Sequence, residues 1–505
     1  MERKILRDGI RRHTNTELFS LETVNVCDFG ADPLGIKDST EAIISAHKTG
    51  KCVYYPNGNY RFNGENLCFK GGVRFESLDG VLVHNDLDSR PVLLFDEFGN
   101  FVGLRHNHLE SDIGVSNERI TIGNLVSPPL SESSYSTKID LLAHFYNDFG
   151  KESSRRTIGW KGWYSWSWNF HDAGTGTSEE KLKYHAERDP FLGYYRGDDP
   201  IVLDWICYWL SEYGVKGVFI TAGSLDEWED EANPDHWCYQ LFNHAKNFKK
   251  LQYGIMMPGV MLYEGMEEKS QPVEKTRLQI RKWWNAILQK TYFSQYHTNC
   301  YKLKINDEIY PVMFLFEEEY LRFMLDRNGG TAETEAFFAE TAQQFIDHGF
   351  NGFAILIRQR RAGYGHDFTD RMREKHVIIL TGYYEQGFMT WDDMAAGNPY
   401  DSMVEAVQYP SRFDGRIAHV FTGANTLGPH PSCWNHPGNT PEGFERLLKK
   451  TVDYVTSTDA PKLVTAYNVS EWSEGGPGLQ PNVQDGFAYL DAVYNTVVEK
   501  REDTP

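Results

Sequence analysis

From about Thr157 to the C-terminus, apolar runs of strand length alternate with segments of helical period, and this alternation constrains the fold more than any other feature of the chain. The runs are "TIGWKGWYSW" from Thr157, "VKGVFITAG" from Val215, "YGIMMPG" from Tyr253, "YPVMFLFEEE" from Tyr310, "GFAILIR" from Gly352, "HVIILTGYY" from His376, "HVFTGAN" from His419 and "KLVTAYNVSEW" from Lys462. Eight strands that are each followed by a helix predict an α/β fold of the (β/α)8 TIM barrel type.

The segments between these runs carry the helical half of the pattern. The clearest are "PIVLDWICYWLSEYG" from Pro200, "ETEAFFAETAQQFIDHG" from Glu333, "PEGFERLLKKTVDYVTS" from Pro441 and "VQDGFAYLDAVYNTVVEK" from Val483. Glycine ends the first two, as it does at many helix C-caps. The connection after Arg358 shows the weakest helical pattern.

The first 130 residues differ, because they consist of short β segments joined by turns. Apolar residues flank the turn Pro56–Asn59, which predicts a hairpin or a corner. One short helix is predicted in "DSTEAIISAHKTG", with Asp38 or Ser39 as its cap. Its apolar face consists of Ala42, Ile43 and Ala46.

These patterns divide the chain into three parts. We expect a small all-β N-terminal domain over residues 1–130, a linker over 131–150 and the barrel over 151–505. The linker is suggested by the Ser- and Pro-rich stretch "SPPLSESSYSTK", after which the pattern changes.

The formal net charge of −20 and the absence of a basic stripe argue against a nucleic-acid partner. Neutral polymers and small molecules are the expected partners, and the 14% aromatic content suits both a large core and a sugar-binding cleft. The seven cysteines stand at Cys27, Cys52, Cys68, Cys207, Cys238, Cys300 and Cys433. Their number and spacing favour free thiols, with no metal or organic cofactor.

The N-terminus is basic but is not followed by an apolar stretch, and no run of about 18 apolar residues occurs in the chain. We therefore expect a soluble protein that has no Sec signal, does not enter a membrane and is made in the cytoplasm. Where it acts, including on a virion or outside the cell, stays open.

The stretch "LVTAYNVSEWSEGG" puts Glu471 and Glu474 three residues apart, just after the eighth predicted strand. That end of a barrel strand is where barrel enzymes carry their catalytic groups. Cleavage of a glycosidic bond needs one carboxyl group as acid and a second as base or nucleophile. The pair therefore predicts a glycoside hydrolase, and a solvated loop is the structural alternative.

Other residues near the predicted strand ends are candidate substrate contacts, with packing or loop contacts as the alternative. They are Trp168, His171, Tyr263, Glu317, Tyr383, Glu385, Asn425, His430, Trp434, His436 and Trp472. Aromatic rings can stack on sugars, and the polar groups can bond to hydroxyls. His430 and His436, six residues apart, make a poor metal pair.

Three phrases of the barrel half resemble glycoside hydrolase family 99, the endo-α-mannosidases, and the related WbsX-like bacterial proteins. They are "GWYSWSW", "DPFLGYYRGDDPIVLDWICYWLSEYGVKGVFI" and "EWSEGGPGLQPNVQDGFAYLDA". The resemblance implies an endo-acting enzyme that retains anomeric configuration, with Glu474 as general acid and Glu471 as the base acting on the sugar 2-hydroxyl. Ser470, Ser473 and Gln480 depart from the family pattern, which leaves the sugar specificity open.

A second resemblance covers about Val24 to Phe62. "VNVCDFGADPLGIKDSTEAIISA" followed by "CVYYPNGNYRF" is similar to the opening of pectate-lyase-like right-handed β-helix proteins. Such openings occur in phage tail spikes and in polysaccharide-degrading enzymes. The resemblance implies a short β-helix that packs on the barrel or forms homotrimers, and a depolymerase of capsule, O-antigen or α-mannan.

Two alternatives to the hydrolase remain. One is a glycosyltransferase of the WbsX-like group, although neither a DxD-like motif nor a phosphate-binding glycine loop is evident. The other is a carbohydrate-binding or structural virion protein whose barrel has lost catalysis.

Overall fold

The computed structural model shows two β-rich parts, an N-terminal one and a C-terminal barrel. It describes residues 23–49, 51–62, 65–69, 73–78, 81–83, 92–95, 101–106, 121–123, 125–147, 190–193, 195–221, 237–258, 272–316, 318–327, 330–358, 366–382, 411–412, 415–422, 440–470, 478–482 and 485–499.

The N-terminal part contains short strands and one α-helix among its described residues. The strands are β1 (Thr23–Asn25), β2 (Leu34–Asp38), β3 (Cys52–Tyr55), β4 (Gly58–Phe62), β5 (Glu65–Phe69), β6 (Val73–Leu78), β7 (Val81–Val83), β8 (Val92–Phe95), β9 (Phe101–His106) and β10 (Thr121–Gly123). Helix α1 is Thr40–His47. The sheets run in the order β1-β3-β6-β7-β8-β9-β10 and β2-β4-β5.

The predicted turn between β3 and β4 is a corner, because the two strands belong to different sheets. Strand β3 pairs in parallel with β1, whereas β4 pairs in parallel with β2. The Asn59 amide donates to the Pro33 carbonyl at 2.8 Å. A Cβ at position 58 would stand 2.5 Å from that carbonyl oxygen, so the close approach of β4 to this turn requires Gly58.

Helix α1 begins where the sequence predicted. The Asp38 carboxylate accepts a hydrogen bond from the Thr40 amide at 2.8 Å, while the Ser39 hydroxyl accepts one from the Asp32 amide at 2.9 Å. Ile43 and Ala46 are fully buried. Of the two candidate caps, Asp38 therefore binds the first turn of the helix and Ser39 ties the preceding loop.

Eight parallel strands form the closed ring of a TIM barrel. They are β11 (Asp140–Phe145), β12 (Gly217–Thr221), β13 (Gln252–Pro258), β15 (Glu308–Phe316), β16 (Phe353–Arg358), β17 (Val377–Gly382), β18 (Arg416–Phe421) and β19 (Leu463–Tyr467), and β14 (Lys302–Ile305) lies beside β15. Each strand of the ring pairs in parallel with the next, and the β11–β19 pair closes it. The predicted (β/α)8 fold is confirmed.

The first barrel strand differs from the prediction. It is Asp140–Phe145, which lies inside the stretch expected to be a linker, and "TIGWKGWYSW" from Thr157 falls outside the described residues. The strand lies in "IDLLAHFY", an apolar run of strand length that directly follows the Ser- and Pro-rich stretch. The other seven strands stand where the sequence placed them.

Helices cover the outside of the ring. Those described are α2 (Pro200–Glu212), α3 (Trp237–His244), α4 (Val273–Lys290), α5 (Glu318–Leu325), α6 (Ala332–Asp347), α7 (His366–Glu374), α8 (Pro441–Ser457) and α9 (Ala488–Val497). The predicted segments correspond to α2, α6, α8 and α9, and α7 supplies the helix of the weak connection after Arg358. Asp199 caps α2 by accepting from the Ile201 amide at 2.8 Å, with Pro200 in the first turn.

Strand residues alternate between two apolar clusters. Leu142, Phe219, Phe314, Ile417 and Tyr467 belong to the cluster that fills the barrel interior. Their neighbours along the strands belong to the larger cluster that the strands share with the helices. Because successive side chains of a strand point to opposite faces, His144 and Thr221 also face the interior.

The Ser- and Pro-rich stretch that was expected to be a linker is hydrogen-bonded to the barrel. The Ser131 amide donates to the Asn247 carboxamide at 2.7 Å, and the Ser131 hydroxyl donates to Glu212 at 2.6 Å. The Trp205 indole NH donates to the Val126 carbonyl at 2.5 Å. Residues 125–138 are therefore part of the packed barrel in this structure.

The N-terminal end of the barrel is covered by the hairpin of β14 and β15. Its two-residue turn places Asn306 and Asp307 at φ +49° and +68°, the conformation that suits a tight hairpin. The Tyr301 hydroxyl donates to Asp140 at 3.0 Å. In TIM-barrel enzymes the active site lies at the opposite end, where the strands finish. Within the described ranges, no helix is long and apolar enough to span a bilayer.

Candidate active site at the C-terminal end of the barrel

The predicted site residues all fall outside the described part of the chain. These are Glu471, Glu474, Trp472, Trp168, His171, Tyr263, Glu317, Tyr383, Glu385, Asn425, His430, Trp434 and His436. Along the chain, all of them follow barrel strands: Glu317 comes directly after β15, and Glu471 comes four residues after β19. Their roles remain predictions, and the described residues define the frame from which these segments start.

His144, at the end of β11, is the central polar group of this frame. It is 6% exposed, and its Nε2 lies 2.7 Å from the Thr221 hydroxyl of the neighbouring strand. Its ring lies 5.8 Å from the ring of Tyr467 across the β11–β19 pair. Burial lowers the pKa of His144 to about 3, because a charged imidazolium loses its hydration there. The ring is therefore neutral at physiological pH.

Thr422 joins the ends of β18 and β19. Its amide and hydroxyl both donate to the Tyr467 carbonyl, at 2.8 and 2.9 Å, and the hydroxyl accepts from the Asn468 amide at 3.2 Å. The Phe421 and Tyr467 rings stack at 5.2 Å. These contacts hold the ends of β18 and β19 together, just before the segment that contains Glu471 and Glu474 in the sequence.

The segment that carries Glu471 and Glu474 is anchored at both ends. The Leu479 amide donates to the Asn468 carbonyl at 2.9 Å, and the Gln480 amide donates to the Val469 carbonyl at 2.8 Å. A Cβ at position 478 would stand 2.4 Å from the Val469 oxygen, so only glycine fits, and its φ is +63°. The chain thus returns from residues 471–477 to the place where it left the strand.

Four buried, uncharged side chains lie beneath this return. The Ser470 hydroxyl donates to the Tyr146 carbonyl at 2.9 Å, and the Asn147 amide NH2 donates to the Gly197 carbonyl at 2.9 Å. The Tyr195 hydroxyl lies 3.1 Å from the Asn147 Oδ1 and 2.9 Å from the terminal amide of Gln480. These contacts join β11, the approach to α2 and both ends of residues 471–477.

The hydroxyl of Tyr195 has a single proton, so it donates to only one of its two partners. The Gln480 atom at 2.9 Å is Oε1, and with this side-chain amide turned by 180° the hydroxyl donates to Asn147 and accepts from the Gln480 NH2. That orientation also gives a partner to the buried Gln480 NH2, which otherwise has none among the described residues. We refer to Asn147, Tyr195, Ser470 and Gln480 as the anchor cluster.

Sequence reasoning missed most of this frame. His144 and Asn147 were inside the expected linker, and Gln480 entered only as a departure from a family pattern. The apolar run "IDLLAHFY", followed by polar "ND", carries the signal of a strand that ends at a site. Contacts between residues 147, 195 and 480, by contrast, have no local signature.

The described residues contain no group of three or more His, Cys, Asp or Glu side chains arranged to hold a metal ion. Cys27, Cys207, Cys238 and Cys300 are not joined in disulfides, which agrees with the prediction for these four cysteines. Burial raises the pKa of Cys207 well above its usual value, so this thiol is protonated and unreactive.

No protein-family model matches the chain, and no curated protein sequence matches it. Among solved structures, the endo-α-mannosidase of glycoside hydrolase family 99 from Bacteroides thetaiotaomicron is 12% identical, with a TM-score of 0.42, over 70% of this chain and 95% of that one. A glycoside hydrolase-like protein is 12% identical, with a TM-score of 0.43, over 74% and 98%. An α-L-fucosidase from Bacteroides thetaiotaomicron is 13% identical, with a TM-score of 0.33, over 62% of each chain.

Likeness at this level identifies neither a shared family nor a shared activity. The neighbours are glycoside hydrolases by name, and the barrel itself is established by its own strand order. The resemblance of Val24–Phe62 to pectate-lyase-like proteins and the tail-spike role find no support in these comparisons.

Proposed function

We propose that the protein is a glycoside hydrolase that cleaves a polysaccharide or oligosaccharide with the carboxylates of Glu471 and Glu474. The observation that carries the proposal is the double anchoring of residues 471–477 at the C-terminal end of β19. TIM-barrel enzymes carry their catalytic residues on the segments that follow the strands at this end. Two carboxylates in the segment that follows β19 support this proposal.

The anchored ends limit how far the two carboxylates can lie from the barrel. Glu471 follows the buried Ser470 directly, and Glu474 is four residues from both Ser470 and Gly478. A chain of four residues spans at most about 14 Å when fully extended. The Cα atom of Glu474 therefore lies within about 14 Å of Ser470 and of Gly478, which both belong to the C-terminal end of β19.

The chemistry assigned to the pair is acid and base catalysis of glycosidic cleavage. Glu474 protonates the leaving oxygen, and Glu471 acts as base, in the roles that the family resemblance implies. These two roles require that the surroundings of the two carboxyl groups set their pKa values apart. The sugar and the linkage are left to experiment.

The test is the release of reducing ends from bacterial capsules, O-antigens and α-mannans by the wild type, Glu471→Gln and Glu474→Gln. Loss of a general acid or base predicts a decrease of about 100-fold or more in each variant. Glu374→Gln is the matched control, because Glu374 is exposed at the end of α7 and just precedes the N-terminal end of β17.

Three results would overturn the proposal. Variants that cleave as fast as the wild type would remove the two glutamates from catalysis. A wild type that binds a polysaccharide but cleaves none would favour a carbohydrate-binding protein, and sugar transfer that requires a nucleotide sugar would favour a glycosyltransferase.

A further inference from the structure

The anchor cluster contacts the chain directly before and shortly after the segment 471–477. The Tyr195 hydroxyl contacts Asn147 at 3.1 Å and, at 2.9 Å, Gln480, which follows the segment 471–477. Ser470, directly before the segment, donates to the Tyr146 carbonyl and lies 3.4 Å from the same Asn147 Oδ1. All four side chains are at least nine-tenths buried, with Tyr195 the most exposed at 7%. The Tyr195 hydroxyl therefore ties the residue after the segment to Asn147, beside which Ser470 lies at the start of the segment.

The cluster is mounted on rigid elements. Asn147 follows β11 by two residues, and its NH2 holds the Gly197 carbonyl. Tyr195 stands five residues before Pro200, the first residue of α2, a helix that is buried along almost its whole length. Groups that must be held to within about 0.5 Å are best supported by strands and helices whose own positions are fixed by packing.

Every side chain of the cluster makes a hydrogen bond, and the Gln480 NH2 gains its partner when the amide is turned. A buried polar network whose members are all satisfied specifies one arrangement, because any displacement leaves a buried donor or acceptor without a partner. The anchor cluster therefore fixes the distance between the backbone at Ser470 and the backbone near Gly478. It also fixes the direction in which the chain runs at each of these two points.

We propose that Tyr195 and Gln480 are positioning residues for the segment 471–477, and through it for the two carboxylates. This inference rests on the proposed function for its catalytic consequence. Neither residue touches the substrate in this scheme, and both act through the ends of the segment. Misplacement of a catalytic group by about 1 Å can cost about 100-fold in rate, so loosening these ends should reduce turnover more than substrate binding.

The variants that test this are Tyr195→Phe, Gln480→Met and the double variant. Tyr195→Phe removes the hydroxyl and with it the contacts to both Asn147 and Gln480, whereas Gln480→Met removes only the contact to Gln480. Both changes alter the side-chain volume little. We expect kcat to fall about 10- to 100-fold with KM within about twofold, and the double variant to fall no further than the more affected single variant. Gln480→Met keeps the test available if Tyr195→Phe does not fold.

The matched control is Tyr292→Phe. The Tyr292 hydroxyl is also buried and makes two hydrogen bonds, to the Val312 carbonyl at 2.6 Å and from the Ile255 amide at 2.8 Å. This control removes a comparable buried hydroxyl between strands and helix, away from the ends of 471–477. It should lower thermal stability and leave kcat and KM unchanged below the unfolding transition.

Hydrogen exchange of peptides that cover residues 471–477 gives a second measurement that does not depend on activity. We expect faster exchange there in Tyr195→Phe and Gln480→Met than in the wild type or in Tyr292→Phe. If the wild type hydrolyses a substrate, two results would overturn the positioning role without affecting the proposed hydrolase function. One is that the two variants exchange as slowly as the wild type, and the other is that they have the same kcat as the wild type. If the wild type hydrolyses nothing, the proposed function fails, and the exchange result alone decides whether the cluster holds the segment.

Discussion

The backbone carbonyl of His144 accepts a hydrogen bond from the Val469 amide, with 2.8 Å between the two atoms. This bond continues the pairing of β11 with β19 past the last strand residue, Tyr467. The side chain of His144 faces the barrel interior at the same level. His144 therefore fixes the backbone at Val469 and contributes a neutral imidazole to the barrel interior.

The buried imidazole predicts a loss of stability in acid. Because burial lowers the pKa of folded His144 to about 3, the unfolded chain binds the proton first, at its ordinary pKa of about 6.5. Stability should fall as the pH decreases below about 6.5, by at most about 1.4 kcal/mol per pH unit from this group. His144→Gln removes this dependence.

The measurement is the free energy of unfolding of wild type and His144→Gln between pH 5 and 7.5. As the pH falls, the free energy of unfolding should decrease more in the wild type than in His144→Gln. His244→Gln, which removes an exposed imidazole, is the control. A wild type and His144→Gln that lose stability in parallel would contradict the prediction.

Gly478→Ala should destabilise the protein by at least about 2 kcal/mol. About 1 kcal/mol of this comes from the positive φ, and the rest from the approach of the new Cβ to the Val469 oxygen. Gly349→Ala separates the two effects, because Gly349 has φ +88° but no atom within 4 Å of a Cβ. Urea denaturation of both variants measures the difference, and equal costs would show that the contact at position 478 relaxes.

Asn247→Ala should cost about 2–4 kcal/mol, because it leaves several buried groups without partners. The Asn247 side chain accepts from the Ser131 amide and donates to Pro129 and Asp204. Asn243→Ala is the exposed comparison, for which a cost below about 1 kcal/mol is expected. Chemical denaturation would measure both, and a similar cost for the two would show that residues 125–138 contribute little to the stability of the barrel.

Asp204 should make the wild type less stable, relative to Asp204→Asn, as the pH rises. Burial raises the pKa of its carboxyl, despite two hydrogen bonds from Asn247. The folded state therefore holds this proton to a higher pH than the unfolded chain, whose value is about 3.9. Between that pH and the raised pKa, ionisation costs stability in the wild type only.

Melting temperatures from pH 4 to 7.5 test this, with the exposed Asp453→Asn as control. The difference between Asp204→Asn and wild type should grow with pH and then level off. A difference that stays constant with pH would assign the residue a role independent of its charge.

Much of the barrel follows from local pattern. Seven of the eight barrel strands and the helices from Pro200, Ala332, Pro441 and Ala488 lie where hydrophobic period and capping residues predicted them. These signals are local, because burial on one or both faces of an element imposes its period on consecutive residues. The one barrel strand that the pattern did not predict is Asp140–Phe145. It follows a Ser- and Pro-rich stretch whose composition is typical of a linker, and only the contacts of Ser131 with Asn247 and Glu212 show that this stretch packs on the barrel.

The sequence by itself determined the fold class, the order of the elements and the presence of two neighbouring carboxylates after the last strand. Only the tertiary structure decided which residues hold that segment. Asn147, Tyr195 and Gln480 are separated by 48 and 285 residues along the chain, and their hydroxyl and amide groups meet only when the barrel closes. Hydrogen bonds between distant residues leave no periodic trace in a sequence, because each partner is constrained by a neighbour in space and not by its neighbours in the chain.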